Sequence, residues 1–215
     1  MKKLIDLFEN NIDRPINKWV HYFEIYERYF HKFIETPVKI LEIGVEEGGS
    51  LQMWKKYFGK QATIVGIDIH SFRKYEEDQI FVEIGDQSDI NFLNAVIEKH
   101  GNFDIIIDDG SHNQLDILKS FSFLYPRLNN RGIYLVEDVH TSYWKDYQGG
   151  ITSPFNFVSI ASNFVHDTNI QHIKEEYTQH IPDLKSICFH DSIIVFEKEI
   201  NEKKHSKVVG NYEKN

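Results

Sequence analysis

At 215 residues the chain has the length of one domain and enough material to bury a real core. Hydrophobic residues make up 41% and charged residues 27%, an ordinary globular composition rather than a disordered one. The formal net charge of −9 disfavours a nucleic-acid partner, which needs concentrated Lys and Arg, and no apolar run reaches membrane-spanning length.

Two helical patterns precede the first strand. Leu4, Ile5, Leu7 and Phe8 form a short one; Lys2 and Lys3 stand before it, but Asp6 and Glu9 interrupt the apolar residues too early for a signal peptide, so a cytoplasmic protein is expected. From Trp19 to Phe33 the residues Tyr22, Phe23, Tyr26, Tyr29, Phe30 and Phe33 recur at helical spacing. This aromatic stripe is expected to pack on the sheet or on a second subunit, which leaves a homo-oligomer open. A segment that closes over a ligand is the sharper alternative.

Short β-rich runs at 38–43, 63–67, 80–84, 103–107 and 133–136 then alternate with helical segments at 50–58, 90–100 and 114–125. Asp89 is placed to cap the second of these helices. Such alternation predicts βαβ units and a parallel sheet covered on both faces. The segment 144–154, with Gly149-Gly150 as a hinge, reads equally as a lid or as a plain surface connection. Runs at 186–189 and 192–197 are separated only by His190 and Asp191, so they must pair antiparallel. The lone cysteine, Cys188, lies in the first of these runs and reads as a small core residue. The predicted fold is therefore α/β: a doubly wound, seven-stranded, Rossmann-like sheet of the methyltransferase type, mostly parallel with a C-terminal antiparallel hairpin. Its divisions are an N-terminal helical segment at 1–37, the main domain at 38–198 and a flexible polar tail at 199–215.

The strongest local signal is Ile40-Leu41-Glu42-Ile43-Gly44-Val45-Glu46-Glu47-Gly48-Gly49-Ser50, an apolar strand running through a glycine-rich turn into a helix. Glycine lets the backbone approach a ligand there. The dinucleotide pattern G-x-G-x-x-G is broken by Glu46 at its second glycine, and Glu42, Glu46 and Glu47 would repel a pyrophosphate. A cationic sulfonium suits the turn better, which favours S-adenosylmethionine over NAD. Asp68, at the end of the second strand, can accept from both ribose hydroxyls. After the third strand Asp86 and Gln87 are placed to meet the adenine.

Asp108-Asp109-Gly110-Ser111-His112 follows the fourth strand and Glu137-Asp138 the fifth, so both groups project from the edge that carries the glycine turn. Individually such acids cap helices or bind water; together they repel one another unless protons or a metal offset the charge. Oxygen donors of this kind suit Mg²⁺ or Ca²⁺ rather than zinc. His112 is close enough to Asp109 to share its pocket, and a neutral imidazole there can take the proton of a hydroxyl acidified by a dication.

These motifs, together with Phe121, Leu124, Pro126, Gly132, Tyr134, Thr141-Ser142-Tyr143-Trp144 and the hairpin from Phe189-His190-Asp191-Ser192-Ile193 to Lys198, resemble the macrolide sugar O-methyltransferases of the tylosin and mycinamicin type. The resemblance spans about residues 38 to 198. It implies a class I S-adenosylmethionine-dependent enzyme acting on a hydroxyl of a sugar or glycosylated small molecule. It further implies Mg²⁺ held by Asp109, Glu137 and Asp138, His112 as general base, and cofactor contacts from Glu42, Asp68, Asp86 and Gln87. Gly44, Ser50 and Asp109 complete the cofactor set. A catechol-type O-methyltransferase and a protein that holds S-adenosylmethionine without turnover are the alternatives.

Overall fold

The computed structural model describes residues 3–70, 73–200 and 204–210. Lys2 and much of the tail expected at 199–215 (residues 201–203 and 211–215) therefore lie outside the described residues. Five strands run in chain order as β1 Lys39–Ile43, β2 Thr63–Asp68, β3 Ile80–Ile84, β4 Ile105–Asp108 and β5 Ile133–Val136, and the hairpin follows as β6 Leu184–Phe189 and β7 Ile194–Lys198. They form one sheet of order β3-β2-β1-β4-β5-β7-β6. The first five pair in parallel, whereas β7 pairs antiparallel with both β5 and β6. The seven-stranded, mostly parallel sheet with a closing antiparallel hairpin read from the sequence is the one observed.

Side chains alternate between the faces with the period of an extended chain. On β1, β4 and β5, Ile40, Ile105, Ile107, Ile133 and Leu135 join one core, while Leu41, Ile43, Ile106, Tyr134 and Val136 join the other. The first core is roofed by α1 Leu4–Glu9, α2 Tyr22–Phe30 and α3 Gly49–Phe58. The second lies beneath α4 Ile90–His100, α5 Gln114–Leu124 and α6 Phe157–Asn163. The Asp89 carboxylate accepts from Asn91 N at 2.9 Å and Phe92 N at 3.4 Å, which caps α4.

The aromatic helix is shorter than its stripe suggests: α2 ends at Phe30, and His31–Phe33 finishes as a 3-10 turn. Its apolar side packs within the chain, Phe23 on Phe8, and Tyr26 and Phe30 on Trp54. Cys188 is half-buried and packs at the margin of the first core rather than inside it, because β6 is the terminal strand of the sheet. Among the described residues no helix is long and apolar enough to cross a membrane.

Phe121 on α5 is fully buried, with ring centroids of Tyr134, Phe157 and Phe196 at 5.1, 5.6 and 4.5 Å. Phe121→Ala should lower the unfolding free energy by about 3–5 kcal/mol in denaturant titration, since the packed rings cannot collapse into the void. A loss under about 1 kcal/mol would show that this core is loosely packed.

Candidate active site

The chain reverses direction across the sheet between β1 and β4, and the crevice at that switch point holds the predicted residues. Gly44 leaves β1 at φ +95°, and a Cβ there would stand 2.1 Å from the Asp109 carbonyl oxygen. The loops after β1 and β4 thus touch through a contact that only glycine permits. Asp68 caps the glycine turn, accepting from Val45 N at 2.9 Å through Oδ2 and from His70 N at 2.8 Å through Oδ1.

Two clefts meet at this turn. One, of about 440 Å³, is lined by Lys18, Gly44, Ser50, Asp68, Asp109, His112 and Asp138 among others. The other, of about 280 Å³, is lined by Gly44, Asp68, Asp86, Gln87 and Gly110. Asp86 is exposed at its rim. Gln87 is buried, accepting from Ser111 N at 2.7 Å and donating to Asp108 Oδ1 at 3.1 Å. Asp108 faces the second core, and hydrogen bonds from Ser120 and Tyr134 also serve it. Burial nevertheless holds its pKa above the ordinary value.

Glu42 does not line either cleft. It is fully buried on the face shared with Ile40, where Ser50 Oγ donates to Oε2 at 2.8 Å and Lys18 Nζ lies 3.5 Å from Oε1. Burial raises its pKa against the pull of Lys18.

Three of the expected residues converge. His112 Nε2 lies 3.8 Å from Asp109 Oδ1 and 3.7 Å from Asp138 Oδ2, and donor atoms of all three fall within 4.8 Å of one another. Glu137 turns inward instead: its Oε1 accepts from Tyr26 OH at 2.7 Å and its Oε2 from Lys18 Nζ at 2.9 Å. Lys18, which sequence reasoning did not select, also donates a very short bond to Asp109 Oδ2. Its side chain is only 3% exposed. Burial alone would lower the Lys18 pKa, but Asp109, Glu137 and Glu42 outweigh it and hold the ammonium well above the usual lysine range. A third cavity, of about 340 Å³, opens beside this centre and is lined by Asn17, Lys18, Trp19, Val20, Tyr22, Asp109, Glu137 and Asp138.

The residues around the convergence are held in strained backbone. His112 and Asp138 adopt φ +56° and +52°, which costs a non-glycine residue about 1–3 kcal/mol and persists only when neighbours enforce it. The His112 carbonyl accepts from Gln114 Nε2 and Thr141 Oγ1, each at 3.1 Å. Gln114 Oε1 in turn accepts from Ser142 Oγ at 2.6 Å and Phe157 N at 2.9 Å. This fully buried glutamine joins the loops after β4 and β5 to α6. Tyr22 OH donates to Asp138 Oδ1, so α2 reaches both acids that follow β5. Lys18, Tyr22, Tyr26 and Gln114 were not selected from the sequence. The aromatic stripe was the one available signal, and it placed the two tyrosines without assigning their hydroxyls.

The donor set fits a hard divalent cation: carboxylates of Asp109 and Asp138 with His112 alongside, and Glu137 joined to Asp109 through the Lys18 ammonium. The 440 Å³ cleft likewise leaves room for a small-molecule ligand against the backbone of the glycine turn.

Together the sheet order, the glycine turn and the acids at three strand ends define a domain with the class I methyltransferase fold. Comparison with known proteins places it more closely. The chain is 41% identical over 142 residues to the 8-demethyl-8-alpha-L-rhamnosyl tetracenomycin-C 2'-O-methyltransferase of Streptomyces olivaceus, covering 62% of this chain and 37% of that one. It is 38% identical over 147 residues to the demethylmacrocin O-methyltransferase of Streptomyces fradiae, covering 64% and 37%. Among solved structures, the MycE methyltransferase of the mycinamycin biosynthetic pathway, in complex with Mg, SAH and mycinamycin VI, superposes with a TM-score of 0.86 at 27% identity, over 94% of this chain and 55% of that chain. No family model matches. Over the shared region the chain is similar to these O-methyltransferases, and it spans little more than a third of the length of the curated relatives it matches.

Burial, and then repulsion from Asp109, pushes the Glu137 carboxyl from 4.5 up to about 8 against the pull of Lys18. The folded chain thus retains a proton that the unfolded chain releases, so this contribution to stability is complete below pH 4.5 and lost as the pH rises through about 8. Thermal unfolding of the metal-free protein should show that decline, and Glu137→Gln should flatten it. An identical slope in the variant would contradict the assignment.

Proposed function

We propose that this chain transfers a methyl group from S-adenosylmethionine to a hydroxyl of a sugar or glycosylated small molecule, assisted by Mg²⁺, in the cytoplasm. The observation that carries this reading is the convergence of Asp109, His112 and Asp138 beside the cleft walled by the glycine turn. The names of the rhamnosyl tetracenomycin-C 2'-O-methyltransferase and the demethylmacrocin O-methyltransferase, and the mycinamycin VI bound to MycE, support the acceptor class.

When bound, S-adenosylmethionine supplies an electrophilic methyl group, and a divalent cation supplies charge that makes a nearby hydroxyl more acidic. Asp109 and Asp138 would hold the cation, with Glu137 able to join them from below. Gly44, Ser50 and Asp68 would bind the amino-acid and ribose parts of the cofactor, and Asp86 and Gln87 the adenine. His112 Nε2 would take the proton of the acceptor hydroxyl, whose oxygen would accept the methyl group that the cofactor supplies. Gln114 and Thr141, by gripping the His112 carbonyl, fix the imidazole against a line of approach in which oxygen, carbon and sulfur must align. The exposed rings of Trp19 and Trp144 flank His140 near the 340 Å³ cavity, and a sugar entering there would meet them first.

His112→Ala should lower methyl transfer by roughly 10²–10⁴-fold in a labelled-methyl assay while leaving S-adenosylhomocysteine affinity nearly unchanged by calorimetry. Asp109→Ala and Asp138→Ala should abolish the Mg²⁺ stimulation of turnover. A protein that only holds the cofactor would bind S-adenosylhomocysteine yet transfer no methyl to any glycoside. Full activity in excess EDTA would end the metal role.

A further inference from the structure

Lys18 belongs to no helix or strand. It sits on the stretch between α1 and α2, where Asn11 to Trp19 cross the mouth of the crevice without regular structure. The crossing is tight: a Cβ on Gly49 would meet the Pro15 carbonyl oxygen at 2.1 Å. Upstream it is tied down by Arg14, which donates to the Tyr75 carbonyl at 2.9 Å and pairs with Glu77. From this strap the Lys18 side chain plunges inward, and its ammonium contacts Asp109, Glu137 and Glu42 together. Two of those three carboxylates belong to the expected metal set.

The ammonium is in short contact with Asp109 Oδ2 and 2.9 Å from Glu137 Oε2, so a dication that used both Asp109 oxygens, or drew Glu137 in beside Asp109 and Asp138, would need the place it fills. We propose that Lys18 is a tethered cation that occupies the acidic centre in the metal-free protein and is displaced when a divalent ion binds. This rests on the metal reading given above. The ammonium offsets negative charge gathered where Glu42 and Glu137 are buried and Asp109 is partly so. The strap allows the exchange, since a lysine on irregular backbone swings its four-carbon stem without moving a helix. Lys18 stays in the wall between the 440 and 340 Å³ cavities, the one lysine or arginine among the described residues lining either. The displaced ammonium therefore faces bound ligands rather than bulk water.

The test titrates Mn²⁺ into the full chain without cofactor or acceptor, comparing wild type with Lys18→Met by calorimetry. Removing the competitor should tighten Mn²⁺ binding by about tenfold or more, as expected when the site is otherwise open only a small fraction of the time. Because Lys18→Met leaves buried acids unpaired and the variant could fail to fold, the wild type carries a second readout. Acetylation of lysines followed by mass spectrometry should find Lys18 protected in the metal-free protein and several-fold more reactive at saturating Mn²⁺, with exposed Lys119 unchanged. If wild type binds Mn²⁺ while the variant binds no more tightly, or Lys18 stays protected with the ion bound, the exchange is overturned and the metal site survives. If neither protein binds Mn²⁺, the metal reading falls and takes this inference with it.

Discussion

The structure turns on gathering negative charge in a place where charge is costly. Parallel pairing puts Ile43 beside Asp108 and Asp108 beside Val136, so the residues that follow on β4 and β5, Asp109 and Glu137-Asp138, must emerge side by side at one edge. Glu42, two residues before Gly44, joins them from β1. Glu42 and Glu137 are essentially excluded from solvent. Buried carboxylates in contact with one ammonium are stable only while the ammonium remains, and removing one partner of such a cluster costs about 3–5 kcal/mol. Much of the N-terminal segment serves this balance: the strap delivers Lys18, and α2 delivers the hydroxyls of Tyr22 and Tyr26 to Asp138 and Glu137.

Rigidity is concentrated at the same edge. Left-handed backbone at His112 and Asp138 is enforced by Gln114 and Thr141, which bind carbonyls rather than the side chains that meet the cleft. The imidazole and carboxylates are thereby aimed from behind and stay free to engage a ligand in front. The paired aspartates show the division of labour. Asp108 points into the second core and is satisfied by Gln87, Ser120 and Tyr134, whereas Asp109, one residue on, points to the opposite side and into the cleft.

The sheet was readable because a buried parallel strand is a short apolar run, and helices of ordinary length separate the runs here. The closing hairpin was readable because His190 and Asp191 leave no room for a crossover. Strand ends shifted by one or two residues, as at β4, where the apolar run begins at Phe103 but pairing begins at Ile105. Within the site the glycine turn, the strand-end acids and His112 carried local signals. Lys18 carried none: it lies on a segment without periodicity, and its partners Asp109 and Glu137 are 91 and 119 positions away. Gln114 resembled any polar residue in the first turn of a helix. Glu137 and Asp138 looked equivalent in sequence, yet adjacent residues leaving a strand point to opposite sides, and only Asp138 faces His112.

Anomalous diffraction from crystals grown with Mn²⁺ and S-adenosylhomocysteine would test the central claim most directly. The account predicts a single strong peak at about 2.0–2.2 Å from carboxylate oxygens of both Asp109 and Asp138, beside a ligand seated on the Gly44 turn. A peak elsewhere, or an acidic centre still filled by the Lys18 ammonium at saturating metal, would contradict it.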